Sequence, residues 1–364
     1  MANSVYIHIP FCKQICAYCD FPKFFYFDKW IEPYLYALEQ EIKTTYQGEE
    51  IQTIYIGGGT PSLLKEKDLK RVLSLTNLFK KKEKIEFTLE ANAEDLSKEK
   101  VEILSTYGVN RVSLGVQTFH KKLGDVLERH TAYETVKRGI SLLHQVGISN
   151  INLDLMYAIP SEEIKDVKED LSKILKLPIT HISTYSLILE EHTKLYLKNL
   201  ESVEEDLDYE MYHLIQNTLE EKGFMQYEIS NFAKEGYESK HNIVYWNNEM
   251  YYGFGLGASS YIGNIRKTNT RSLTSYFEGK GKSEIETIDE RRNMEYEMIL
   301  GLRKRKGVSL QKFEEKFHRS LLDVFFIEKL INQGFLEKQG DFIRIPQDKM
   351  YLSNEILLAF LLDE

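Results

Sequence analysis

Six short runs rich in β-branched and aromatic residues recur between longer amphipathic stretches, and that alternation limits the folds open to the chain. The runs fall at 5–9, 53–56, 85–90, 111–116, 150–156 and 181–187. Helical periodicity fills the intervals at 30–45, 66–78, 98–106, 133–146 and 165–175. Strands separated by helices pair in parallel through crossover connections. Two units repeat in detail. Tyr107-Gly108-Val109 leads into the run at 111–116, and Val146-Gly147-Ile148 leads into the run at 150–156. Each is a helix ending at a glycine cap with a strand close behind. The expectation is an α/β fold of repeated barrel units.

Polar residues gather at the carboxyl ends of the expected strands, where parallel α/β barrels carry their active sites. Gly57-Gly58-Gly59-Thr60-Pro61 follows the second strand, Glu90 and Asn92 close the third, Gln117 ends the fourth, and Asp154 sits late in the fifth. After the first strand come the chain's only cysteines, Cys12, Cys16 and Cys19, spaced C-x3-C-x2-C. Three thiolates can hold three corners of a 4Fe-4S cluster and leave the fourth iron open to a small molecule. A structural zinc site wants four closed ligands. No fourth cysteine exists, and His8 lies on the strand before the loop. An odd cysteine count also argues against a disulfide framework.

The 364 residues carry a formal net charge of −9, with 42% hydrophobic and 28% charged residues. That is globular, long enough for one large domain and a smaller one, and wrong in sign for a dedicated nucleic-acid binder. The first residues lack the basic-then-apolar pattern of a signal peptide. The longest apolar run, 356–362, is far too short to span a bilayer. A cytoplasmic, metal-binding protein is expected, since an oxygen-sensitive cluster suits a reducing compartment. No phosphate-binding P-loop or nucleophile elbow is present, so kinase and hydrolase readings have no support.

After about residue 190 the pattern changes. The acidic run at 201–210 reads as a solvated helix face. Segments 224–231, 245–247 and 251–270 are rich in Tyr, Asn and Gly and read as strands and turns. Helices are expected at 294–303, 310–317 and 321–334, then a hairpin at 336–345 turning at Gln339-Gly340-Asp341. That order is winged-helix-like. Arg303-Lys304-Arg305-Lys306 reads as an exposed helix end, with a nucleic-acid contact as the alternative. The expected division is 1–195 for the core, 196–285 for an extension and 286–364 for the small C-terminal domain.

The cysteine motif on this six-strand pattern resembles the radical S-adenosylmethionine (SAM) superfamily. The resemblance implies a partial (β/α)6 barrel and a 4Fe-4S cluster whose open iron is chelated by SAM. It also implies one-electron reductive cleavage of SAM. More narrowly, the chain resembles the coproporphyrinogen III oxidase-like family. The matching segments are Tyr6-Ile7-His8-Ile9-Pro10-Phe11-Cys12, Gly57-Gly58-Gly59-Thr60-Pro61-Ser62, Gly115-Val116-Gln117-Thr118-Phe119 and Arg129-His130. In that family's pattern Tyr6, Tyr18, Gly58, Gly59, Thr60, Glu90, Gln117, Arg129 and Asp154 stand where SAM-contacting residues stand.

Two branches of that family are separable here. The oxidative decarboxylases carry a further cysteine two positions after the third ligand, where this chain has Phe21, and an N-terminal extension for which the loop at residue 12 leaves no room. The heme chaperone HemW branch carries H-N-x-x-Y-W, matched by His241-Asn242-Ile243-Val244-Tyr245-Trp246. Its resemblance makes His241, Asn242, Tyr245 and Trp246 heme candidates, with a histidine imidazole as a common axial ligand. One departure bears on this. Gly257-Ala258-Ser259-Ser260 stands where a Gly-Ala-His-Ser step is expected, so a second histidine is missing.

The resemblance therefore implies a heme chaperone that binds heme, a 4Fe-4S cluster and exchangeable SAM, and passes heme to acceptor proteins. The alternative is an oxygen-independent coproporphyrinogen III oxidase of porphyrin biosynthesis. Nucleic-acid partners and membrane insertion are not expected. The heme acceptor, turnover of SAM and pairing into a homodimer are left open.

Overall fold

A computed structural model describes residues 1–362. Nine strands form one sheet: β1 (Ser4–Ile9), β2 (Glu50–Gly58), β3 (Lys80–Ala91), β4 (Arg111–Gln117), β5 (Asn150–Tyr157), β6 (His181–Ser186), β7 (Met225–Glu228), β8 (Asn231–Ala233) and β9 (Tyr252–Phe254). Their spatial order is β9-β1-β2-β3-β4-β5-β6-β8-β7. Strands β1 to β6 pair in parallel and in sequence order. β9 joins β1 in parallel at one edge, and β8 and β7 add an antiparallel pair at the other.

All six expected core strands are present. Two are longer than expected, because their amino-terminal halves are polar and partly exposed and carry no apolar signal: β2 begins at Glu50 and β3 at Lys80. The inner halves bury Ile54, Ile56, Leu89, Val112, Leu114, Ile151 and Leu153 almost completely. Such burial stabilises by roughly 1.5–3 kcal/mol per side chain, which holds the strands under their crossover helices. The helix Asp28–Thr45 presents Ile31, Leu35, Leu38 and Ile42 at helical spacing to that core. The glycine caps behave as expected. Gly108 and Gly147 take φ of +84° and +86°, and each turns the chain from a helix into the next strand.

In the C-terminal region, helices Glu290–Gly301 and Leu310–Phe317 flank the short strand Val308–Ser309, which joins Phe342–Arg344 and Glu337–Gln339 in a three-stranded antiparallel sheet. The hairpin turns at Gly340, whose φ is +58°. Three local expectations are corrected. The single helix expected at 321–334 is two short ones, Leu321–Val324 and Ile327–Asn332. Phe325 is extended between them and buries its ring against Phe313 and Phe360. Residues 245–246 are helical, at the end of Lys240–Trp246, where turns and strands were expected. That helix is fixed at its start by Ser239, which caps the Asn242 N–H, and by Glu86, which accepts from the N–H groups of Lys240 and His241.

The third correction concerns 303–306, which is not an exposed helix end. The Arg303 guanidinium lies 4.5 Å over the Trp246 ring. Burial pushes the Lys304 amine down to about 8, and Arg305 donates to Gln347 at 2.9 Å. The Lys304 amine donates to Asn247 Oδ1 at 2.5 Å, and the backbone of this segment joins the strand edge through an antiparallel bridge between Lys304 and Glu228, with the Arg305 N–H donating to the Tyr227 carbonyl at 3.0 Å. The acidic run does become a helix, Glu205–Glu221, although its first residues precede the helical start.

Candidate cofactor site

A cavity of about 570 Å³ opens at the carboxyl ends of the parallel strands, and Cys12, Cys16 and Cys19 all line it. The cysteine loop is held by its own backbone. Phe11–Cys12 pairs with Phe24–Phe25, the Cys19 N–H donates to the Cys16 carbonyl, and Ala17 donates to Leu127 at 2.9 Å. All three thiols are free. Burial pushes the Cys12 thiol up to about 11 and raises Cys16 and Cys19 in the same direction. Among the described residues no three His, Cys, Asp or Glu side chains converge as a single metal ion would require.

The glycine run is explained first by the chain's own packing. A Cβ on Gly57 would lie 2.6 Å from the Glu90 carboxyl carbon, and one on Gly59 would lie 2.8 Å from the Phe11 backbone. Gly58 has a φ of +112°, and a Cβ there would meet the His8 ring at 2.3 Å. Backbone at Gly59 and the positive φ at Gly58 demand glycine, while a side chain at Gly57 would displace the Glu90 carboxyl. Gly58, Gly59 and Thr60 still reach the cavity wall, and Thr60 Oγ1 lies 3.9 Å from Cys12 Sγ.

Three strand-end groups and Arg129, which follows the helix after β4, meet at the cavity. Glu90 accepts from the Tyr55 hydroxyl at 2.8 Å and the Gly58 N–H at 2.9 Å. Burial nevertheless outweighs those bonds and raises its carboxyl to about 7. Asp154 accepts from Asn152 Nδ2 at 2.7 Å, and burial raises it as well. Gln117 sits at φ +68° beside a register shift in β4, a left-handed conformation that turns the chain out of the strand. Arg129 donates to Asn92 Oδ1 and to the Gly115 carbonyl, each at 2.8 Å. All four face the cavity, as does Tyr18.

Other expected residues do not. Tyr6 lies behind the wall, its hydroxyl 2.9 Å from His8 Nδ1. His241 is buried, with Nδ1 2.8 Å from Thr53 Oγ1 and Nε2 2.8 Å from the Tyr245 hydroxyl. Burial pushes its pKa down to about 3. Both ring nitrogens are used inside the fold, so His241 is not presented to an iron. Tyr245 packs edge-on to Tyr251, and Trp246 lies beneath Arg303. Of the H-N-x-x-Y-W motif, only Asn242 reaches the cavity.

The sequence reading missed the deeper wall. Arg111, Ser113, Asn152, Ser183 and Tyr185 line the cavity together with Tyr55. Arg111 is 2% exposed, and its Nε has no hydrogen-bond partner. A usable signal was present. On β4 the residues Arg111, Ser113, Gly115 and Gln117 recur with period two and all face inward.

The sequence model of the Radical SAM superfamily matches residues 6–174, and that of the HemN C-terminal domain matches residues 288–350. The heme chaperone HemW of Lactococcus lactis subsp. lactis (strain IL1403) is 40% identical over 376 residues, spanning 100% of this chain and 98% of that one. The heme chaperone HemW of Bacillus subtilis (strain 168) is also 40% identical, spanning 99% of each chain. Among solved structures, the coproporphyrinogen III oxidase HemN from Escherichia coli superposes with a TM-score of 0.86 at 19% identity. It covers 99% of this chain and 90% of that one, which shows the shared radical SAM fold. Two relatives at this identity, matched from end to end, place the chain in the HemW family of the radical SAM superfamily.

Proposed function

We propose that this chain is a heme chaperone: it carries a 4Fe-4S cluster on Cys12, Cys16 and Cys19, binds SAM exchangeably in the same cavity, and delivers heme to acceptor proteins. The observation that carries the reading is the meeting of three free thiols with Arg129, Asp154 and Glu90 on one cavity wall. It occurs in a chain that matches curated heme chaperones over its full length.

The donor set fits such a cluster. Three free thiols stand around a cavity mouth, Cys12 near the Thr60 hydroxyl and Cys16 near the Tyr18 hydroxyl, with no disulfide among them. When bound, the cluster would supply an open iron and a single electron. The chain's own residues bind and orient. Arg129 offers a guanidinium suited to a carboxylate, while Glu90 and Asp154 accept from hydroxyl or ammonium donors. Tyr18 offers a ring face to a base. Phe21, 61% exposed, lines the mouth where the decarboxylase branch has its further cysteine. No described helix is long and apolar enough to cross a membrane.

The test uses anaerobically reconstituted full-length protein. Loaded with heme, it should transfer heme to an apo-hemoprotein in solution. Incubated with coproporphyrinogen III, SAM and a reductant, it should yield no protoporphyrinogen. Product formation at a useful rate would contradict the reading.

A further inference from the structure

Arg111 lies on the cavity wall, buried, and its guanidinium has no ion-pair partner among the described residues. Its Nε is buried without a hydrogen bond, and no carboxylate lies within ion-pair distance of the guanidinium among the described residues. Glu90 and Asp154 feel its charge, because it works to lower both carboxyls, but neither touches it. A buried guanidinium left this way is costly, and its planar fork matches a carboxylate. Asn242 lines the same cavity, and its side-chain amide makes no hydrogen bond among the described residues. Thr88 on β3 pairs with Arg111 on one side and with Tyr55 on the other, and the ring of His241, the neighbour of Asn242, packs on Tyr55 with centroids 5.2 Å apart, so the two unpartnered donors belong to one end of the cavity.

That end is not the cysteine end. Arg111 opens β4, paired with Thr88, whereas Gln117 closes the same strand. Six residues separate them, about 20 Å of strand. A carboxylate chelating an iron at the cysteine loop is therefore not the one Arg111 meets.

We infer that Arg111 and Asn242 form a carboxylate clamp for a second ligand that shares the cavity, and that in this protein the carboxylate is a porphyrin propionate. The inference rests on the heme-chaperone reading above. It gives the H-N-x-x-Y-W helix a direct contact through Asn242, while His241 and Tyr245 hold that helix in place.

The experiment titrates heme, heme dimethyl ester and SAM, separately, into anaerobically reconstituted full-length protein, with Arg111→Met and Arg111→Lys variants alongside. The wild type should bind heme at least tenfold more tightly than the diester, in which both propionates are blocked. Arg111→Met should erase that preference, Arg111→Lys should retain part of it, and SAM affinity should fall by a smaller factor than heme affinity in both variants. Arg111→Lys keeps the charge and serves as the readout if the methionine variant does not fold. A wild type that binds heme and diester equally overturns the clamp and leaves the chaperone reading standing. A variant that loses SAM affinity and keeps the heme preference assigns the carboxylate to SAM and overturns the propionate. A wild type that binds no heme overturns both.

Discussion

The backbone N–H of Gly58 donates to Glu90 Oε2 at 2.9 Å, tying the glycine turn after β2 to the acid at the end of β3. The same carboxylate accepts from Tyr55 at 2.8 Å, yet burial still raises it to about 7. Its protonation therefore changes near neutrality. Between about pH 4.5 and 7 the folded chain holds a proton on Glu90 that the unfolded chain has released, so this group's contribution to stability falls as pH rises through that window. Glu90→Gln should flatten that part of a stability-against-pH curve measured by thermal unfolding. A curve unchanged by the substitution would remove Glu90 as its source.

Buried histidines set the opposite slope. Burial pushes His241 down to about 3 and His8 to about 4. The unfolded chain takes up protons on both near pH 6.5, so stability is lost as pH falls from about 6.5 towards those values. His241→Ala should cost roughly 2–4 kcal/mol, because Thr53 and Tyr245 lose a buried partner and a cavity opens. Urea unfolding measures it. A variant as stable as the wild type that has lost heme alone would return His241 to a ligand role.

Asp154 is held by Asn152 and Ser113 while facing the cavity, so its charge is poised rather than satisfied. Asp154→Asn keeps the shape and removes the charge. SAM affinity, measured by calorimetry on reconstituted protein, should weaken by roughly 1–3 kcal/mol, the value of a charge-assisted hydrogen bond. Unchanged affinity would demote Asp154 to scaffold.

Arg303 over Trp246 joins the C-terminal helices to the motif helix. Arg303→Ala should lower stability by roughly 1–2 kcal/mol through loss of a desolvated cation–π contact. Trp246→Phe should recover part of that contact relative to Trp246→Ala. All three variants as stable as the wild type would show that the stack contributes nothing.

The core strands were legible because parallel strands buried on both faces read as short apolar runs. The glycine caps at Gly108 and Gly147 were legible because a helix end followed at once by a strand demands a positive φ. The cysteines, Glu90, Gln117 and Asp154 could be placed because the carboxyl ends of such strands share one rim, while Arg129, beyond the helix that follows β4, came from the family pattern. What failed was inward against outward direction. With both faces buried, apolar alternation does not say which residues point into the barrel, so Arg111 reads only as a strand start; Tyr6, which the family pattern implied, lines no part of the cavity and meets His8 instead. The period-two polar series on β4 would have settled that phase. His241 was misplaced for a different reason. A motif fixes residue types, but only packing shows that Thr53, 188 positions earlier, already occupies one ring nitrogen.

The most direct measurement is the iron and sulfide content of protein reconstituted without oxygen, read with its visible spectrum before and after SAM is added. Three free thiols around one cavity predict about four iron and four sulfide per chain, a spectrum perturbed by SAM, and loss of the cluster in Cys16→Ala. A colourless protein holding one zinc at those thiols, or a Cys16→Ala variant with its full complement of iron, would contradict the account.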